Sequence, residues 1–346
     1  MIKLMFVFLS VTLGMFMMCK RNIQPVGVDA EKANCRIVFY NVENLFDYSD
    51  DPETNDKDFL PDGKMRWTQA IYEKKQQNIA KVIKALGTNE NQLPELIALS
   101  EIENRRVLED LIEKMNPSKS YKIVHRDSPD ERGIDVALLY DSNKIEVLSS
   151  DFHTVELKGD HTREILEAKV KIGGEPIHLF VNHWSSNFPS KKESEYKRLA
   201  AANVLNNAVD KIQAKDKDAK IVIVGDFNDQ PSDKSITQVL AADKVGVASA
   251  ELYNLSSPWQ NSPNNGTVYL SFKKTWLTID QIMVSPALVD QHKGWQTTPQ
   301  QAHIFNEDWL TYERDGKKIP SRYISSKGKV YGGYSDHFPI YLDLVK

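Results

Sequence analysis

Apolar runs in this 346-residue chain repeatedly end in polar side chains suited to hydrolytic chemistry. Ile221-Val222-Ile223-Val224-Gly225 reads as a buried strand that delivers Asp226 and Asn228 to a sheet edge. At i and i+2 these side chains point the same way, one an acceptor and the other an amide with both donor and acceptor, which suits a phosphate or a metal-bound water. At an ordinary turn the same pair would merely satisfy local backbone. The run Arg36 to Tyr40 leads likewise to Asn41 and Glu43, and Leu96 to Leu99 leads to Glu101. Ile177 to Val181 ends in Asn182 and His183, an imidazole beside an amide, and its place among the other polar strand ends favours a functional role for His183. Asp280 opens another apolar stretch, and a buried acid needs a partner because desolvating it alone is costly. The natural candidate is His337 in Gly333-Tyr334-Ser335-Asp336-His337, since a carboxylate that orients an imidazole makes it a better base. Arg132, ahead of the apolar run 134–140, could bind phosphate or pair with a carboxylate.

The elements that must position these groups alternate between the two periodicities. From Thr68 to Leu86 the residues Ile71, Tyr72, Ile79, Val82, Ile83 and Leu86 fall on one helical stripe, with Gly87 as a stop. A second helix follows Asn104 as its cap and buries Val107, Leu108, Leu111, Ile112 and Met115. A third runs from about Glu193 to Gln213. Gly173-Gly174 reads as a hairpin turn. The stretch Asp47 to Asp62 holds seven acidic residues and two prolines, and reads as a solvated loop rather than a calcium site. After the His183 loop, Trp184, Lys191, Lys192 and Arg198 could grip a nucleic-acid strand, although a wet helix face is the plainer reading of the cations.

Composition is ordinary and globular, and 41% hydrophobic content is enough for a large core. A net charge of −4 supplies no global basic field, so any site for a polyanion must be local. Leu4 to Met18 forms an apolar run of fifteen residues, where a bilayer span needs ~20. Residues 1–19 are therefore expected to be an export signal of lipoprotein type, lipidated at Cys19, with soluble export as the alternative. Residues 20–34 follow as a linker and 35–346 as one domain, periplasmic or at the cell surface, touching membrane only through the lipid. Cys35 is then left unpaired, as a small buried residue at a strand start. P-loop, zinc-spaced Cys/His and Gly-x-Ser-x-Gly patterns are absent from the sequence.

In their order along the chain these motifs resemble the endonuclease/exonuclease/phosphatase superfamily, the metal-dependent phosphoesterases of DNase I-like and exonuclease III-like fold. The motifs are Asn41-Val42-Glu43, Ser100-Glu101, Asn182-His183, Gly225-Asp226-Phe227-Asn228, Ile279-Asp280 and Ser335-Asp336-His337, spanning about Arg36 to Leu344. The resemblance implies an α/β fold, a four-layer sandwich of two mixed β-sheets face to face with helices outside. It further implies Glu101 as the principal metal ligand, assisted by Glu43 and Asp336 and positioned by Asn41; Glu43 stands where some members carry Asp. Asp226 and Asn228 would orient the attacking water and a phosphate oxygen. His337, paired with Asp280, would be a general base or a phosphate-facing imidazole, and His183 the second imidazole. Arg132 and Asn182 are added as phosphate-binding or positioning residues. All-oxygen ligation favours Mg2+, with Mn2+ or Ca2+ as alternatives, over zinc. The expected activity is divalent-metal phosphodiester hydrolysis, with an exported nuclease acting on DNA or RNA as the leading reading. A lipid- or sugar-phosphate esterase on the same site is the first alternative, and a catalytically silent surface-binding protein the second; no protein partner is implied.

Overall fold

The computed structural model describes residues 34–346 apart from 89–91, 116–119, 188, 261, 263–264 and 292. The expected export signal, Cys19 and the linker up to residue 33 lie outside the described residues. The chain runs β1 (Asn34–Leu45), α1 (Gln69–Ala85), β2 (Leu96–Ile102), α2 (Arg105–Met115), β3 (Tyr121–His125), β4 (Asp135–Asp141), β5 (Ile145–His153), β6 (Ile165–Ile172) and β7 (Glu175–His183). It continues through α3 (Lys191–Gln213), β8 (Ile221–Asp226), β9 (Ala242–Asp243), β10 (Leu252–Asn254), β11 (Val268–Leu270), β12 (Thr275–Leu277), β13 (Asp280–Val284), β14 (Ala302–Ile304), β15 (Thr311–Arg314), β16 (Lys317–Pro320) and β17 (Ile340–Val345). One sheet has six strands in the order β14-β17-β1-β2-β4-β3, and a second has seven in the order β5-β6-β7-β8-β13-β10-β9. β11 with β12 and β15 with β16 form two separate hairpins.

Strand alternation sets the layers. In β1, Ile37 and Phe39 join a core with Leu179, Val181, Val222 and Val224 of the other sheet, so this core lies between the sheets. Val38, Tyr40 and Val42, on the opposite face, pack with the buried stripes of α1 and α2. On the far side Ile221 and Ile223 pack against Ala202, Leu205 and Val209 of α3. The result is helix, sheet, sheet, helix, as the family resemblance implied. Caps and turns follow local chemistry: the Asn104 side chain accepts from Val107 N at 3.1 Å, and Gly173 and Gly174, at φ 52° and 90°, join β6 to β7. No helix among the described residues is long and apolar enough to cross a membrane.

Two parallel pairings decide where the polar strand ends meet. β1 runs parallel to β2, with Asn41 opposite Ser100, and β7 runs parallel to β8, with His183 opposite Asp226. Parallel neighbours need crossovers, supplied here by α1 and α3, and in return their C-terminal ends fall side by side. Antiparallel β13 starts where β8 stops, so Asp280 pairs with Asp226. β17 begins opposite Phe39, which brings the preceding Asp336 and His337 to the same edge.

Gly225 is required by that pairing, because a Cβ there would meet Asn182 O at 2.4 Å and Asn182 Cβ at 2.5 Å. Gly225→Ala should wedge β7 from β8 and cost about 2–3 kcal/mol in denaturant unfolding. A midpoint and slope unchanged from wild type would show that the strands absorb the methyl group freely.

Candidate active site

The centre of the site is an amide shared by two acids. Asn41 Nδ2 donates to Glu101 Oε1 at 3.2 Å and to Asp226 Oδ2 at 3.1 Å. Glu101 Oε2 accepts from the backbone of Asn44 at 2.7 Å, and Asp226 Oδ1 from the backbone of Asn228 at 2.9 Å. The donors arrive because the chain enters left-handed conformations, with φ 56° at Glu43, 53° at Asn44, 63° at Glu101 and 50° at Asn228. Non-glycine residues pay about 1–2 kcal/mol each for this conformation. At the same places β1 and β2 bulge, with register shifts between Asn41 and Leu45 and between Ser100 and Ile102. Strain is thus concentrated on the residues that frame the acids.

Two imidazoles face this pair from opposite electrostatic environments. His183 Nε2 lies 3.8 Å from both Glu101 Oε1 and Asp226 Oδ2, too far for a direct hydrogen bond. Burial pushes its pKa well below the ordinary value, aided by the Arg163, Arg132 and His337 charges, so His183 is neutral. Its Nδ1 has no hydrogen-bond partner among the described residues. His337 Nδ1 lies 2.9 Å and 3.0 Å from the two Asp280 oxygens, and its Nε2 faces Asp226 Oδ2 at 3.9 Å. Burial opposes charge on His337, but Asp280, Asp226 and Asp336 outweigh it and raise its pKa well above the ordinary value. His337 is therefore the cationic imidazole.

The remaining expected residues divide. The carboxylates of Glu43 and Asp336 are hydrogen-bonded not to the Asn41 amide but to Arg322, whose Nε lies 3.2 Å from Glu43 Oε1 and Nη2 2.5 Å from Asp336 Oδ2. Glu43 Oε2 also accepts from Tyr323 N at 2.6 Å. Asp226 takes the place beside Glu101 that the sequence reading gave these two acids. Asn182 is fully buried and its amide is spent on Val224 O at 3.3 Å and Trp184 Nε1 at 3.1 Å, so it braces the His183 loop. Arg132 is half-exposed near His183, with Nε 3.9 Å from Asp130 Oδ1. Asn228 Nδ2 donates to Trp184 O at 3.0 Å.

The suggested strand-gripping set is corrected. Trp184 is buried, with its ring 4.8 Å from that of Phe227. Arg198 is completely buried and pairs with Asp229 at 2.7 Å. Neither a stacking surface nor a free guanidinium is offered there.

Three cations near the site escaped the sequence reading. Arg163 is buried on Asp130 at 2.8 Å and donates to the carbonyls of His183 and Trp184 at 3.3 and 2.8 Å. Lys75, fully buried in α1, donates to Glu43 O beneath the Tyr323 ring. Burial lowers its pKa to about 8 against the pull of Glu43. A lysine in register with Tyr72 and Ile79 on an apolar stripe was a signal that could have revealed it. Arg322 carries no such signal.

These groups fit a divalent cation. Burial, with Asp280 next, pushes Asp226 up to about 7, and burial, with Asp336 next, pushes Glu43 up to about 7, which marks negative charge short of compensation. Asp226, Asp280 and His337 bring one ligand atom each within 4.8 Å of one another. The carboxylate oxygens of Glu101 and Asp226 on either side of the Asn41 amide are hard donors of the kind Mg2+ takes.

Residues 36–346 match the sequence profile of the Endonuclease/Exonuclease/phosphatase family, and the chain belongs to that family. Among curated proteins no sequence relative matches. A Bacteroides thetaiotaomicron protein of the same family superposes with a TM-score of 0.57 at 16% identity, over 91% of this chain and 98% of its own. A mannosyl-6-phosphatase of Bacteroides thetaiotaomicron gives 0.57 at 15%, over 90% and 100%. D. rerio TDP2, in complex with a single-strand DNA product, gives 0.54 at 14%, over 90% and 99%. At these identities the solved structures share the fold.

Because Asp226 and Glu43 keep protons in the folded state that an unfolded chain would have lost, folding stability without metal should fall as pH rises from about 4 to about 7. The raised pKa of His337 acts in the same direction at higher pH. A cation competes with those protons, so the Tm gain on adding Mg2+ should be larger near about pH 8 than near about pH 6, and EDTA should reverse it. A gain of equal size at both would place Mg2+ away from these carboxylates.

Proposed function

We propose that this member of the Endonuclease/Exonuclease/phosphatase family is a divalent-metal-dependent phosphodiesterase acting on nucleic acid. The observation that carries the reading is the meeting of Asn41, Glu101, His183, Asp226 and the Asp280–His337 pair at one edge of two sheets. A silent scaffold has no reason to retain four left-handed residues and a crowd of buried acids around that edge. Glu101, positioned by the Asn41 amide, would hold Mg2+ or Mn2+, while Glu43 and Asp336 set the charge behind it through Arg322. The bound ion supplies Lewis-acid stabilisation of charge developing on phosphoryl oxygens.

The chain's own residues do the rest. Asn41 fixes the separation of Glu101 and Asp226. Asp226, aligned by Asn228 N, accepts a proton from the attacking water. His337 is held as an imidazolium by Asp280 and directs Nε2–H at a phosphate oxygen, the phosphate-facing role rather than the general-base one. Neutral His183 serves the leaving-group side, its backbone fixed by Arg163. Half-exposed Arg132 near His183 offers a cation to a phosphate flanking the scissile one, which suits a polyanionic strand. TDP2 with its DNA product supports this reading, and the mannosyl-6-phosphatase keeps a sugar phosphate as the second reading.

We further propose export with lipidation at Cys19, as the apolar leader implies. Fatty-acid label should enter the full-length protein in a bacterial host and vanish in Cys19→Ser; an unlipidated mature chain starting well beyond residue 19 would select soluble export.

Activity on DNA, RNA and sugar phosphates distinguishes the substrates. Glu101→Gln should lower kcat at least about 100-fold without unfolding the chain. Asp280→Asn should move the alkaline limb of the pH profile downward, because His337 loses the carboxylate that keeps it charged. His337→Ala should cost nearly as much alone as with Asp280→Asn, the two acting as one unit. Full activity in excess EDTA, or additive losses in the double variant, contradicts this assignment.

A further inference from the structure

We propose that the cavity beside Asp336 is a stacking subsite that takes a nucleobase next to the scissile phosphate, an inference that rests on the nucleic-acid reading above. The cavity, of about 690 Å³, opens to solvent between β11 with its turn and the β15–β16 hairpin, and is lined by Tyr269, Phe272, Tyr312, Arg314 and Tyr331, with Arg322 and Asp336 toward the site. A space of this size accommodates a nucleotide.

Two features of its walls define the ligand. Six large apolar side chains stand exposed among the described residues, and Phe272, Tyr312 and Tyr331 are three of them, 80%, 39% and 56% exposed. Their gathering at one cavity is not a demand of the fold: leaving an aromatic ring in water forfeits ~1.5–3 kcal/mol that burial would return. The second feature is positive charge around the rings. Lys273 Nζ stands 5.6 Å from the centre of the Phe272 ring and Lys329 Nζ 5.1 Å from that of Tyr331, and Arg314 lines the cavity itself, whereas Arg322 there is paired with Glu43 and Asp336. Flat π surfaces framed by cations match a base attached to phosphates on both sides, the chemistry of single-strand recognition. An acyl chain would gain nothing from those charges.

The cavity is also tied to the reacting centre. Val268 of β11 bridges directly to His337, and Thr267 O accepts from Phe338 N at 2.9 Å. Thr267 Oγ1 accepts from Asp280 N at 3.2 Å, so the strand that walls the cavity also holds the Asp280–His337 pair. Arg322 and Asp336 belong to both places, pairing at 2.5 Å. A base seated on the rings therefore leaves its own phosphate at the His337 side of the site.

The test uses the full chain carrying Glu101→Gln, which should bind without turnover, and a single-stranded oligonucleotide with 2-aminopurine, whose fluorescence is quenched by stacking. The parent should quench the probe and prefer it about 10-fold over the same strand with abasic residues. Phe272→Ala and Tyr331→Ala, both at exposed positions where the fold tolerates truncation, should abolish the quench and bring that preference close to one. Variants that quench and discriminate like the parent overturn the subsite while leaving the nucleic-acid reading intact. A parent that binds neither strand, in a protein that hydrolyses sugar phosphates, overturns both.

Discussion

A single carboxamide joins the two sheets of this protein at its chemical centre. Asn41 leaves β1 of one sheet and reaches both Glu101 on the neighbouring strand and Asp226 at the end of β8 in the other. Its oxygen accepts from Glu43 N at 3.0 Å, so the amide is spent on both faces and cannot rotate. Ser335 Oγ donates to Asn41 O at 2.7 Å and accepts from His337 N at 3.1 Å, which ties the last motif of the chain to the first. An error at Asn41 would change the separation of Glu101 and Asp226, because both acids take its amide.

Neighbouring charges explain why one small buried region holds one cationic and one neutral imidazole. Both are nearly excluded from water, where desolvation alone would leave each neutral. His337 has Asp280 against its Nδ1 and becomes cationic; His183 has Arg163 behind its backbone and Arg132 nearby, and stays neutral. The two rings thus take different charges from their neighbours rather than from their own chemistry. Lys75 and Arg322 perform a similar service beneath Glu43 and Asp336, balancing acids that would otherwise repel one another in a dry setting.

The sandwich and the hairpins contribute differently. The sheets and α1 to α3 bury nearly all of their apolar residues and fix the reacting groups. The hairpins β11–β12 and β15–β16 stand outside both sheets and leave aromatic rings in solvent.

Much of this was legible in the sequence because it is local. An apolar run followed by polar residues marks Asn41, Glu101, His183 and Asp226 as strand ends, and the helical stripes of α1, α2 and α3 are periodic. The order of the motifs also carried the family and hence the four layers. Tertiary structure decided which acids share a partner: Glu43 was grouped with Glu101 by its motif, yet it bonds to Arg322, 279 residues away, and Asp226 takes the Asn41 amide instead. It also decided burial, turning Trp184 and Arg198 from an expected surface into core. Residue type and spacing determine which groups arrive at a strand end and which way they first point. Their neighbours, and therefore their charge, depend on contacts between segments hundreds of residues apart, which only the packed sheets bring together.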